Sequence, residues 1–395
     1  MFERFEFRPE HWGHLADRYR ESRPRKLLAL DGGGLRGLIT LGFLKRLESE
    51  LAGKTNDPDG FRLCHFFDYI AGTSTGAIIA AGLATGKTVK EIQAFYETFA
   101  RGVFKKRLWR WTGKFSAKSI ESHLKEVFPE ELTLQPEFLK CLFLAVTRNA
   151  TTDSVWPISS NPAAKFNDPA SGSNNLKIPL WEIVRASAAA PTFFPARTIV
   201  LDPSRPDQKF EFVDGGTSAY NNPAFLLYRM ATAKPYYLRW ETGEHNLLLV
   251  SVGTGRSKAL SQTAGGPKLG FAKNVQATVN SLMHQAIIDQ DTACRTVGRC
   301  SYGYELDYEI GDLIPTDSQG QPVPLSTDLG RKFLYTRYNV ELSESGLEEI
   351  DLPGIKPETV APLDALEAID DLKAIGKALG RQFKLRHLGG FVPHS

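Results

Sequence analysis

Apolar residues in this chain gather in short runs, and longer stretches of helical spacing follow several of them. Lys26-Leu27-Leu28-Ala29-Leu30 reads as a buried strand, with a glycine cluster at 32–34 directly after it. Leu44, Leu47 and Leu51 then recur at helical spacing within Leu38 to Leu51. A second unit repeats that order. Phe66 to Ala71 is strand-like, Gly72-Thr73-Ser74-Thr75-Gly76 is a turn, and a small-residue helix runs on through Ala77, Ile78, Ala81 and Leu83. Thr88 and Glu91 have the spacing of a capping box. They predict a helix that places Val89, Ile92, Tyr96 and Phe99 on one face.

Further strands are predicted at Leu142 to Val146, Phe210 to Val213 and Leu247 to Val252. Pro179 is suited to open a helix that continues to about Ala190. The Ser-, Asn- and Gly-rich stretch 159–175 reads as a long surface loop, and 256–273 and 312–330 read as loops. Strands alternating with helices predict an α/β fold, a mostly parallel central sheet with helices on both faces. Sites in such sheets lie beyond the carboxyl ends of the strands, where all three glycine motifs are expected. The chain divides into an extension at 1–25, a core at 26–226 and a part at 227–395 that completes the same domain.

Composition narrows the classes. A hydrophobic content of 42% over 395 residues supports a large core. Lys and Arg number 48 against 45 Asp and Glu, a net charge of +3, so no whole-surface field for nucleic acid is expected. Four cysteines without a CxxC pair argue against a zinc ribbon and against a disulfide scaffold, which suits a reducing, cytoplasmic compartment. The first 25 residues hold no apolar h-region and are not a secretory signal. Phe66 to Gly86 has membrane length and one charge, Asp68, but its four glycines and three threonines fit a strand, a turn and a helix instead.

Three motifs carry candidate chemistry. Gly72-Thr73-Ser74-Thr75-Gly76 is a G-x-S-x-G sequence between a strand and a helix, the context of a nucleophile elbow. The helix that follows directs its N-terminal N–H groups toward developing negative charge. Asp31-Gly32-Gly33-Gly34-Leu35-Arg36-Gly37 offers three successive glycine amides as an oxyanion hole, and Arg36 either adds positive charge or holds the loop in shape. Gly32, Gly34 and Gly37 also fit the dinucleotide fingerprint G-x-G-x-x-G. Asp31 beside the pyrophosphate position, and no strand ending in an acid about 20 residues on, weigh against that alternative. Asp214-Gly215-Gly216, with Asn221-Asn222-Pro223 close behind, is in isolation an ordinary turn signal.

Taken in order, DGGGLRG, GTSTG and DGG resemble the patatin-like phospholipase family, and Arg185-Ala186-Ser187-Ala188-Ala189-Ala190-Pro191 with Phe193-Phe194-Pro195 resembles its stretch ahead of the Asp motif. The resemblance covers about 26–226. It implies a patatin-like three-layer sandwich and a Ser74–Asp214 dyad in place of a triad. Gly32, Gly33, Gly34 and Arg36 fall at the oxyanion positions, and Gly72 and Gly76 flank the elbow. It implies ester-linked acyl lipids as substrates, with no metal or cofactor. A catalytically silent binding module on the same fold is the alternative.

Without a histidine the aspartate itself must take the serine proton. An ordinary Asp pKa of about 3.9 is too low for that role, so burial is expected to raise it. His245, His284, His387 and His394 lie downstream, none in a recognisable loop after a strand. Lys105, Lys106, Arg107, Trp109 and Trp111 join a cationic run to two interfacial aromatics, which predicts a peripheral contact with a membrane surface.

Overall fold

The computed structural model describes residues 7–103, 117–168, 174–191, 193–201, 208–256, 271–306, 311, 316, 318–319 and 330–393. Its strands are β1 (Arg25–Leu30), β2 (Tyr69–Thr73), β3 (Leu142–Asn149), β4 (Ser154–Ser159), β5 (Arg197–Val200), β6 (Lys209–Asp214), β7 (Leu247–Val252), β8 (Arg299–Tyr302) and β9 (Leu334–Tyr338). The helices of eight or more residues are α1 (Gly37–Ala52), α2 (Thr75–Ala84), α3 (Val89–Val103), α4 (Ala117–Val127), α5 (Leu180–Ser187), α6 (Ala224–Thr232), α7 (Phe271–Val297) and α8 (Ile369–Arg381).

The nine strands form one sheet. β3, β2, β1, β7, β9 and β8 lie side by side and run parallel. β7, β9 and β8 therefore belong to the same sheet as the strands before residue 227. Alternate residues of β1 feed two cores, as a two-residue period requires. Leu28 and Leu30 join the core lined by α1, α2, α3, α5 and α8. Leu27 and Ala29 face the other, built with Trp12, Leu15, Tyr19, Leu226, Leu227 and Met230. Burial on both faces explains why these strands read as continuous apolar runs. It is the three-layer arrangement that the spacing predicts.

Three expectations need correction. The strand expected from Phe66 starts at Tyr69, because Leu63–Phe66 is a short helix. Asp68, the one charge in that run, lies buried at the strand entrance. Its carboxylate accepts hydrogen bonds from Arg18 Nε at 3.3 Å, Arg23 Nη2 at 2.5 Å and the Lys26 N–H at 2.9 Å. The stretch 159–175 is not simply a surface loop, for Ser159, Ser160, Asn161 and Asn167 are buried. Asn167 Nδ2 donates to the Ser159 and Asn161 carbonyls at 2.7 Å each, so the turn satisfies its own backbone and can tuck inside. Finally, β6 runs antiparallel to β3, so Asp214 does not end a parallel strand.

That reversed strand decides where the site lies. Residues 144–146 of β3 pair with both β2 and β4, and residues 147–149 with both β4 and β6. A strand has two edges, so β2 and β6 share one of them. They run toward each other: Thr73 pairs with Val146, and Asp214 with Thr147. Ser74 and Asp214 thus meet end to end, although 140 residues separate them.

The capping box at Thr88 forms as expected. The Thr88 N–H donates to Glu91 Oε2 at 2.8 Å and the Glu91 N–H to Thr88 Oγ1 at 3.1 Å. α1, which leaves the glycine loop, packs closely on α8. A Cβ on Gly42 would come 2.5 Å from the Gly376 carbonyl carbon, nearer than any side chain allows. Gly42→Val should therefore lower unfolding stability by about 3 kcal/mol, the upper range for overpacking. Urea denaturation measures it, and a loss below about 0.5 kcal/mol, the range of neutral surface changes, would refute the tight contact.

Candidate functional site

The first strand–turn–helix unit supplies a loop and the second a sharp turn. Ser74 sits between β2 and α2 at φ 54°, a left-handed conformation uncommon outside glycine. Its flanking glycines are needed for room. A Cβ on Gly72 would lie 2.1 Å from the Gly76 carbonyl, and one on Gly76 2.3 Å from the Leu30 carbonyl oxygen. The turn is braced from outside: the Ser74 N–H donates to Ser187 Oγ at 2.9 Å, and Ser187 Oγ donates to the Val146 carbonyl at 2.7 Å. Ser187 lies in the Arg185–Pro191 run, but nothing in its local spacing predicts that role.

Asp214 closes the arrangement. Ser74 Oγ donates to Asp214 Oδ2 at 2.6 Å, and the Gly216 N–H donates to Oδ1 at 2.7 Å. The carboxyl group is buried. Burial pushes its pKa up to about 6, against the downward pull of the Ser74 hydroxyl and the Gly216 amide. Among the described residues no histidine bonds to either side chain. His245 is exposed, and His387 is buried with Nδ1 2.8 Å from the Tyr338 hydroxyl. His284 lies half-buried on α7, its pKa lowered by burial. His394 lies outside the described residues.

The glycine loop abuts the turn. A Cβ on Gly32 would come 3.3 Å from Ser74 Cβ. The three glycine amides are not equivalent, however. The Gly32 N–H donates to the Asn221 carbonyl at 3.1 Å, whereas those of Gly33 and Gly34 meet no protein acceptor among the described residues. Two open amides thus stand where three were expected. The Gly34 carbonyl accepts from Thr75 Oγ1 at 2.8 Å and from the Tyr96 hydroxyl at 2.5 Å, which ties the loop to α2 and α3. Gly34 itself has φ 57°.

Arg36 is buried, and burial lowers its pKa to about 10, with Asp31 opposing. Its Nη1 reaches the Ala361 carbonyl at 3.4 Å, which favours the loop-holding role of the two expected. The Leu35 N–H donates to the Leu363 carbonyl at 2.8 Å, and a Cβ on Gly34 would lie 2.3 Å from that same oxygen. The Leu363 carbonyl thus takes the Leu35 amide, a donor ahead of α1 that the dinucleotide alternative would direct at a pyrophosphate. The proposed membrane segment with Lys105, Lys106, Arg107, Trp109 and Trp111 lies outside the described residues. No helix among the described residues is long and apolar enough to cross a membrane.

The site thus joins a serine on a strained strand-to-helix turn, a buried carboxylate bonded to it, and two open backbone amides close by. The model of the patatin-like phospholipase family matches residues 28–228, just over half of the sequence, and the chain belongs to that family. It is 29% identical over 255 residues to Patatin-T5 of Solanum tuberosum and 30% identical over 251 residues to Patatin-17 of Solanum cardiophyllum. Each match covers 60% of this chain and 62% of the relative. The chain is also 29% identical over 282 residues to the cGAMP-activated phospholipase of Vibrio cholerae, covering 67% of this chain and 72% of that one.

The raised pKa of Asp214 makes a stability prediction. A carboxyl that holds its proton more tightly when folded favours folding most below pH 4, and that advantage is lost as pH rises through about 6. The loss approaches about 3 kcal/mol for a shift of this size. Asp214→Asn should remove this component. The stability difference between variant and wild type should then move in the variant's favour between pH 4 and pH 8. Urea titrations at both values measure it; a difference that does not change with pH would contradict the raised pKa.

Proposed function

We propose that this chain is a lipid acyl hydrolase of the phospholipase A or lysophospholipase type, with Ser74 as nucleophile and Asp214 as its sole side-chain base. The observation that carries the reading is the 2.6 Å hydrogen bond from Ser74 Oγ to a buried Asp214. Family membership supports the substrate class, an ester-linked fatty acyl chain.

In the first step Ser74 Oγ attacks the ester carbonyl carbon while its proton passes to Asp214 Oδ2. The carbonyl oxygen takes the negative charge, and the Gly33 and Gly34 amides are the candidates to receive it. The tetrahedral intermediate collapses, the alcohol leaves with the proton from Asp214, and the acyl group stays on Ser74. Water then gives a proton to Asp214 and attacks the acyl carbonyl, which releases the fatty acid and restores the hydroxyl. A carboxylate with a pKa of about 6 serves both directions, being mostly ionised at neutral pH yet basic enough to hold a proton briefly.

Ser74→Ala should lower hydrolysis of a short-chain p-nitrophenyl ester by at least about 1000-fold, in line with removal of an activated nucleophile. Wild-type kcat/KM should fall about tenfold per pH unit below pH 6 and level off above it, because only ionised Asp214 accepts the proton. Single substitutions of His245, His284, His387 and His394 should each leave most of the activity. An active Ser74→Ala protein, or a dead single-histidine variant, would contradict the dyad. Mass spectrometry of products from mixed phospholipid vesicles identifies the lipid class.

A peripheral membrane contact through Lys105, Lys106, Arg107, Trp109 and Trp111 belongs to the same reading and rests on sequence chemistry. Each basic residue near an anionic surface contributes about 1 kcal/mol. Replacing Lys105, Lys106 and Arg107 with Glu should weaken binding to phosphatidylserine vesicles by at least about 100-fold, the effect of losing three such contacts. Unchanged co-sedimentation would remove this segment from the contact.

A further inference from the structure

We propose that Arg337, on β9 and beyond the family-matched segment, is a positioning residue that sets the glycine loop in register with Ser74. The proposal rests on the hydrolase reading, since it assigns Arg337 a role in presenting the Gly33 and Gly34 amides.

Arg337 reaches the loop through Asp31, the residue at which β1 gives way to glycine. Nη1 donates to Asp31 Oδ1 at 2.8 Å and Nη2 to Asp31 Oδ2 at 2.6 Å, a two-pronged pairing. The two side chains are 3% and 1% exposed. Up to this point the backbone is held by the sheet, the last bond running from the Asp31 N–H to the Val252 carbonyl at 3.1 Å. Past it the chain enters three glycines, which have no side chains with which to hold a conformation.

The same guanidinium also bonds a second wall of the site directly and, through it, reaches a third. Nη1 also donates to Ser251 Oγ on β7 at 2.7 Å, and Ser251 Oγ donates to Asn222 Oδ1 at 3.3 Å. Asn222 Oδ1 accepts the Ala224 N–H at 3.0 Å, which fixes the start of α6. Its neighbour Asn221 takes the Gly32 N–H on its carbonyl at 3.1 Å, and Thr254 Oγ1 donates to the Gly32 carbonyl at 2.9 Å. Arg337 therefore ties the glycine loop to the turn that follows Asp214. Gly32 is saturated by these contacts, and its two successors keep open amides.

A buried ion pair is a costly means of stabilising a fold, because desolvation cancels much of the attraction and an apolar filling often serves as well. A rigid charged fork has a different merit: it fixes angle as well as distance. A loop whose amides must meet a developing charge needs that, for a displacement of 1 Å at a reacting centre costs about 100-fold in rate.

Arg337→Lys keeps the charge and removes the fork. With a water-soluble short-chain ester, kcat should fall by about 10- to 100-fold while KM stays within about twofold, the signature of an interaction lost only in the transition state. A long-chain trifluoromethyl ketone, which forms an oxyanion on the serine, should lose affinity by a similar factor. An ether-linked lipid of the same chain length should bind as before. A role in stability alone predicts a lower Tm with neither change. If Arg337→Lys does not fold, Asp31→Asn with Arg337→Gln removes both charges together and takes the same measurements. Folded variants with wild-type kcat and ketone affinity would overturn the proposal, and so would failure of both variants to fold, which would make the pair a folding element. Wild-type protein inert toward the ester and toward a fluorophosphonate would instead remove the hydrolase reading itself, and this proposal with it.

Discussion

Two adjacent residues of one strand hold the site together. Val146 and Thr147 of β3 pair with Thr73 and Asp214, the last residues of two strands that approach head-on along the same edge. The backbone ladder thereby sets the separation of the serine and the carboxylate before any side chain contributes. Everything else adjusts around that meeting: Ser187 braces the turn from the Val146 carbonyl, and Gly215 needs to be glycine because a Cβ there would lie 2.2 Å from that same oxygen. Much of the precision asked of the pair is thus inherited from the hydrogen-bond register of the sheet.

The environment of Asp214 carries two opposing demands. A carboxylate is poorly solvated in a buried cleft, and that raises its affinity for a proton. The Ser74 hydroxyl and the Gly216 amide both favour the ionised form and limit the rise. The outcome is a carboxyl whose pKa is pushed up to about 6, with no imidazole bonded to it among the described residues. The stability lost by keeping this group ionised above pH 6 is the counterpart of that basicity.

Much of this was legible from residue order. Runs of apolar residues marked β1, β3 and β7, and glycine clusters marked the turns after β1, β2 and β6, because close backbone approach leaves a compositional trace. Thr88 and Glu91 announced their own cap. Direction left only a faint trace: the apolar-charged-apolar alternation Phe210-Glu211-Phe212, half-exposed in the structure where the parallel strands are buried, suits a strand covered on one face but does not by itself say which way it runs. Long-range side-chain partners were not legible. Arg337 and Ser187 act across 306 and 113 residues of sequence, and each looks locally like an ordinary residue of its own element. The loss of Gly32 as an open amide was hidden for the same reason, its acceptor being the backbone of Asn221.

The glycine loop is anchored by residues made long after it. Asp31 leaves the ribosome before its partner guanidinium, which follows 306 residues later, and the carbonyl of Leu363 that receives the Leu35 amide comes later still. Until those residues have emerged, the loop beside Ser74 lacks both anchors. A nascent chain therefore carries Ser74 with that wall of the site unfinished until Arg337 and Leu363 have been added.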